Sequence, residues 1–197
     1  MTRPILMLFL FFSIFAATPQ TMAQDVSSMA KNLTLHRLDG KLVKFGDISS
    51  RVTVVAVWAT WCEPCIRELP YVDALYHHYS KSKLVSVVAL NVDSGTYEKN
   101  ASSIESLKKK MKLSLPMFLQ PEEKLTNFLT TGKIIESSVF RFMQLPLVAI
   151  VDAKGKVMQK TGFEEGLSKE AFIQEYKKLV TKALKGFLNV PRDASKH

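Results

Sequence analysis

The run VTVVAVWATWCEPC, residues 52–65, constrains what this chain can fold into more than any other stretch. Residues 52–59 are uninterruptedly apolar and rich in β-branched side chains, the pattern of a central strand buried on both faces. Directly afterwards Ile66, Leu69, Val72, Leu75, Tyr76 and Tyr79 recur at helical spacing, opened by Pro64 and interrupted by Pro70. A doubly buried strand passing straight into a helix predicts an α/β fold in which helices flank a central sheet. The chain's two cysteines, Cys62 and Cys65, fall at that junction.

The remaining elements follow the same alternation. LTLHRLDGKLVKF alternates around Asp39-Gly40, a tight-turn dipeptide, and predicts an N-terminal β-hairpin. LVSVVALNVD, 84–93, reads as a second buried strand, and 97–112 as a polar helix turning Ile104, Leu107 and Met111 to the sheet. In 114–145, LPMFLQ reads as a short strand, PEEKLTNFL as a helix started by Pro121, and TTGKIIESSVFRFMQ as strand or loop. PLVAIVD and KVMQKTGF predict an antiparallel pair across Ala153-Lys154-Gly155-Lys156. A last helix carries the stripe Phe172, Ile173, Tyr176, Leu179, Val180, Ala183, Leu184 and Phe187, with Ser168 as N-cap and Glu170 in its first turn.

The chain's 197 residues suffice for one core and not for two typical domains. Residues 1–23 combine Arg3, an apolar run from Ile5 to Ala17 and the small-residue site Thr21-Met22-Ala23, the pattern of a cleaved signal peptide. The run is shorter than the roughly 20 residues of a spanning helix, and no basic stop-transfer cluster follows it. An uncleaved membrane anchor is the lesser alternative, and with no cysteine after the run a cysteine-linked lipid anchor is excluded. Residues 24–32 read as a flexible lead, 33–188 as the domain and 189–197 as a flexible tail. These boundaries predict a periplasmic or otherwise secreted protein. The net charge of +9 favours anionic surfaces or acidic partners. The basic residues lack the aromatic interleaving and modules of nucleic-acid binders, so no nucleic acid is expected as partner.

Two thiols at this spacing have three possible uses. A structural staple gains stability with loop length, and a four-residue loop gains least. A metal site needs about four ligands, and beyond the cysteines only the four histidines 36, 77, 78 and 197 remain as nitrogen donors. His77 and His78 lie about 18 Å along the helix axis from Cys65, so no metal is expected. The third use is redox. Cys62 stands where a helix begins, and unpaired N–H groups and the helix dipole there favour a thiolate. Cys62 is therefore read as the attacking sulfur, and Cys65, one turn in, as the resolving one. Glu63 sets a negative charge beside the pair, and Glu68, three residues after Cys65 on one helix face, is near enough to exchange a proton with it. Both glutamates also suit an ordinary first helical turn, and that alternative stays open.

The segment VWATWCEPCIRELP resembles the active-site segment of exported thioredoxin-like proteins of the TlpA/ResA family, including the WCxPC core and Pro70. The resemblance covers about residues 33–187 in element order, with the specific identities in 57–70 and 145–155. It implies a thioredoxin-like fold, a central mixed β-sheet flanked by helices with an N-terminal β-hairpin. It also implies that Leu145-Pro146 is the family's cis-proline position, with Leu115-Pro116 as competitor. There Leu145 would offer its backbone to an extended substrate, Pro146 would keep the thiols from capturing metal, and Trp61, Glu63 and Pro64 would border the substrate. Two positions depart from the pattern. Ala56 stands where ordinary thioredoxins bury an acid, a role Glu68 would take over, and Leu147 where a threonine often follows the proline.

By this resemblance the chain is an exported thiol-disulfide oxidoreductase that reduces protein disulfides, apocytochrome c being the favoured substrate class. A membrane thiol reductase would supply electrons, and no small cofactor is needed. The alternatives are a periplasmic disulfide oxidant or isomerase, and a non-catalytic protein binding thiols or copper.

Overall fold

In a computed structural model, residues 27–134 and 144–188 are described. The leading residues 1–26, the tail 189–197 and residues 135–143 lie outside them.

The hairpin pairs β1 (Thr34–Arg37) with β2 (Leu42–Lys44), Leu35 opposite Val43. Gly40 closes its turn at φ +83°, a conformation that strains any residue with a Cβ, and Asp39 Oδ1 accepts the Lys41 N–H at 3.2 Å. A short helix α2 (Phe45–Ile48) leads to β3 (Val52–Trp58), all seven residues of which are buried. Helix α3 (Glu63–Tyr79) runs through Pro70 and returns the chain to β4 (Val85–Asn91). Next come α4 (Tyr97–Met111), β5 (Met117–Leu119), α5 (Glu123–Thr131), β6 (Leu147–Asp152), β7 (Val157–Thr161) and α6 (Lys169–Leu188).

The seven strands form one mixed sheet in the order β2-β1-β5-β4-β3-β6-β7. β3 lies parallel to β4 and antiparallel to β6, with Val57 opposite Leu147 and Val52 opposite both Val85 and Asp152. This register gives the sheet two poles. The end of β3 and the start of β6 meet at one, and the starts of β3 and β4 meet the end of β6 at the other. α6 packs against α3 and β6 through Phe172, Tyr176, Val180 and Ala183, and the Tyr71 ring of α3 meets Phe163 edge to face and Phe172 at a tilt, with centroids 4.9 and 5.6 Å away. Ser168 Oγ accepts the Ala171 N–H at 3.1 Å, the contact expected of an N-cap. Among the described residues no helix is long and apolar enough to cross a membrane.

Two expectations change. Residues 27–32, read as part of a flexible lead, form a helix, α1, whose Ala30 enters the core. Its Ser27 Oγ donates to the Ala153 carbonyl at 3.4 Å, and a Cβ on Gly155 would come within 3.0 Å of the Ser27 Cα. So short and polar a segment has little helical signal of its own, and docking on the β6–β7 turn supplies what local propensity lacks. The helix expected to start at Pro121 begins two residues later, with Glu122 as N-cap. Glu122 Oε1 is occupied instead by the Thr34 N–H and hydroxyl, at 2.7 and 2.6 Å, fastening α5 to β1.

Candidate active site

β3 delivers the chain to the cysteines through a short turn fixed from below. The Trp58 carbonyl accepts the Val92 N–H at 3.0 Å, and the Ala59 carbonyl accepts the Cys62 N–H at 3.1 Å. Between them the Thr60 N–H donates to both carboxylate oxygens of Asp93, at 3.0 and 3.2 Å. Asp93 is itself held by the Asn91 amide, which donates to Oδ2 at 3.0 Å, while the Asp93 N–H donates to Asn91 Oδ1 at 3.1 Å. This clamp escaped the sequence reading, although the polar end of LNVD, after an otherwise apolar strand, is its signal. Asp93→Ala strips these acceptors from Thr60 and Asn91, and should destabilise the oxidised chain by about 1–3 kcal/mol in urea unfolding. An unchanged midpoint and slope would show that the clamp contributes nothing.

Cys62 and Cys65 form a disulfide with S–S 2.06 Å and Cα–Cα 5.3 Å. Cys62 is the N-cap residue of α3, with extended backbone and no side-chain capping bond. A capping atom accepts from the second or third helical N–H. Pro64 holds the second position and has none, so a Cys62 sulfur freed by reduction has the Cys65 N–H as its donor. Cys62 is 5% exposed and Cys65 1%, while the adjacent Trp61 is 69% exposed. An indole this open beside a reactive pair offers a partner a large apolar contact.

The two glutamates lie in opposite environments. Glu63 is exposed and pairs with Arg67, whose other nitrogen reaches Glu165 at 2.6 Å, so the guanidinium offsets the charge beside the cysteines and ties α3 to the loop before α6. That loop comes a hundred residues later in the chain, and nothing in the sequence signals the pairing. Glu68 is buried and, among the described residues, makes no hydrogen bond. Burial pushes its carboxyl up to about 7, and Lys160 partly offsets the rise. The Tyr176 phenol is pushed up by its own burial and then by the charges of Glu68 and Glu175. Lys160 pairs with Glu175 at 2.6 Å, with Nζ 5.9 Å from the Tyr176 ring centre. One helical turn behind Cys65 there is thus a carboxyl poised to change protonation near neutrality.

The Leu145–Pro146 peptide is cis, and it is the only such bond among the described residues, so Leu115–Pro116 is trans. Pro146 immediately precedes Leu147, which faces Val57, and so lies at the cysteine pole. Its carbonyl accepts the Gly162 N–H at 3.0 Å, whereas Leu145 belongs to neither strand ladder of β6. Ala56 is buried between Ala89 and Val148, with no acid at its position. His77, exposed near the end of α3, lies 3.4 Å from Asp73, and among the described residues no group of three or more potential ligands could hold a metal.

A profile described as the AhpC/TSA family matches residues 26–160. The chain belongs to that family. It is 28% identical over 157 residues to the thiol-disulfide oxidoreductase ResA of Bacillus thuringiensis subsp. konkukian, covering 80% of this chain and 79% of that one. Among solved structures it is similar to a putative thiol:disulfide interchange protein DsbE from Chlorobium tepidum, with TM-score 0.57, 20% identity and coverage of 79% and 94%. It is likewise similar to the exposed lipoprotein thioredoxin Etrx1 of Streptococcus pneumoniae, with TM-score 0.53, 22% identity and coverage of 74% and 97%. The fold of this AhpC/TSA member is thioredoxin-like, and its activity is that of a thiol-disulfide oxidoreductase.

Proposed function

We propose that this chain is an extracytoplasmic reductase of protein disulfides, with apocytochrome c as substrate class. The observation that carries the reading is the Glu68 carboxyl, buried one turn behind Cys65 and ionising near neutrality, since Arg67 offsets the charge of Glu63. Negative charge near the pair disfavours thiolates, and a pair whose reduced form is not stabilised is a poor oxidant and a good reductant.

In the proposed cycle the Cys62 thiolate attacks one sulfur of a substrate disulfide, and the other substrate sulfur leaves as a thiolate. The chain and substrate are then joined by a mixed disulfide. Glu68 takes the Cys65 proton, and the Cys65 thiolate attacks Cys62 Sγ, closing Cys62–Cys65 and expelling the second substrate thiolate. A membrane thiol reductase returns two electrons to reopen the pair. Trp61, Glu63, Pro64 and the Leu145 backbone border the substrate, and Pro146 shields the reduced sulfurs from metal. The export expected from residues 1–23 supports the location, the ResA relative supports a disulfide substrate, and the resemblance of VWATWCEPCIRELP to the TlpA/ResA family favours apocytochrome c.

The test is capture. Cys65→Ser, produced in an exporting cell, should accumulate as a mixed disulfide with c-type apocytochromes carrying paired haem-attachment cysteines. Capture spread over disulfide-rich secreted proteins without enrichment of apocytochromes would overturn the substrate class.

A further inference from the structure

The pole of the sheet remote from the cysteines is basic, and the mechanism makes no use of it. A recess of about 460 Å³ opens there between the β6–β7 turn and the end of α6, and Lys154, Lys156 and Lys182 line it. Lys185 stands one turn further along α6, and Lys31 of α1 is exposed near the same turn. None of these lysines has a carboxylate partner among the described residues. Asp152 also lines the recess, and its carboxylate, like that of Asp47, is engaged with backbone. Asp152 Oδ1 accepts the Lys154 and Lys156 N–H groups at 2.9 Å each, and Asp47 Oδ2 accepts the Lys44 N–H at 3.1 Å.

Favourable interaction with the C-terminal end of the α6 dipole accounts for Lys182 and Lys185, but not for lysines brought to the same place from α1 and the β6–β7 turn. Two apolar side chains join them. Met29 on α1 is 49% exposed, and Leu84, at the start of β4 beside Val52, is 46% exposed. Cations around protruding aliphatic side chains are what an anionic bilayer surface attracts.

We propose that this pole docks the domain on anionic phospholipid headgroups, the recess taking a headgroup phosphate among Lys154, Lys156 and Lys182, with Met29 and Leu84 dipping toward the acyl boundary. The domain then stands with its dithiol facing away from the membrane. The six residues of β6 span about 20 Å between the poles.

The chain from residue 24 onward, which contains every described core residue, is the protein to test. It should co-sediment with vesicles of phosphatidylglycerol and phosphatidylcholine at low salt, bind pure phosphatidylcholine at least tenfold more weakly, and dissociate as salt shortens the screening length. At about 1 kcal/mol per lysine near an anionic surface, Lys154→Ala/Lys156→Ala/Lys182→Ala should weaken binding on the order of 100-fold. The three side chains lie on the surface or in the open recess, and an unchanged urea midpoint establishes that the variant is folded. Orientation has its own readout. Both tryptophans, Trp58 and Trp61, lie at the cysteine pole, so brominated lipids in the vesicles should leave their fluorescence unchanged on binding. Equal binding to neutral vesicles, full binding by the folded triple variant, bromolipid quenching, or binding to soluble polyglutamate but not to vesicles would each overturn the proposal.

Discussion

Cys62→Ser should abolish turnover of a protein disulfide, while Cys65→Ser should complete half a cycle and stop, with one substrate bound per chain as a mixed disulfide. The asymmetry follows from position. Cys62 caps α3, where the Cys65 N–H and the helix dipole stabilise a sulfur anion, and it is the more exposed of the two beside the open Trp61. Cys65 is buried one turn in and attacks only Cys62 Sγ, once that sulfur is joined to the substrate. A serine hydroxyl ionises so much less readily than a thiol that the loss at Cys62 should be on the order of 10³-fold or more. Fold loss is not an adequate alternative, because closing so short a loop contributes only about 2 kcal/mol. Mass spectrometry of each variant after incubation with an oxidised c-type apocytochrome peptide reads the outcome. Equal trapping by both variants would remove the distinction between attacking and resolving sulfur.

Glu68→Gln should change both stability and rate, with opposite signs. The carboxyl ionises near 4.5 in the unfolded chain and near 7 in the folded one, so between these values the folded state holds the extra proton. Below about pH 4.5 the group is protonated in both states and contributes no penalty. As pH rises to 7 the unfolded state gains from ionisation while the folded state does not, and stability falls by up to about 3 kcal/mol, at 1.36 kcal/mol per unit. Above pH 7 that loss is complete. In the oxidised protein Glu68→Gln should therefore be the more stable form above pH 7, with the advantage fading toward pH 4.5. The rate should move the other way. A buried carboxylate taking the Cys65 proton contributes on the order of 10²-fold as a general base, and turnover should lose its rise near pH 7 in the variant. Urea unfolding across pH and a pH–rate profile check the two halves. A variant with the parent's stability slope would mean that Glu68 ionises normally, whatever its rate.

The residues needed for these predictions were unequally legible in the sequence. Strands β3, β4 and β6 declare themselves as largely apolar runs rich in β-branched residues, because burial on both faces leaves little room for polar alternation. Asp39-Gly40 announces the hairpin, and the WCEPC spacing announces the chemistry. The position of β5 between β1 and β4 was not readable, since three residues, Met117–Leu119, carry no register signal of their own. Nor was α1, whose order comes from the β6–β7 turn more than a hundred residues away. At the site the same division holds. Identity and helical facing made Glu68 a candidate, but the burial that raises its ionisation comes from tertiary packing, and Lys160, which partly offsets it, arrives from β7. Glu63 read as a negative charge beside the pair, and the structure adds Arg67, which pairs with it while also reaching the distant Glu165. Local pattern thus identified the reacting atoms, and tertiary contacts set their charges.

Direction of electron flow is the central claim, and the equilibrium potential of the Cys62–Cys65 couple tests it most directly. Titrated against glutathione or dithiothreitol buffers at pH 7, the couple should fall near or below the about −270 mV of thioredoxin. A value near the about −120 mV of a strong disulfide oxidant would contradict the account.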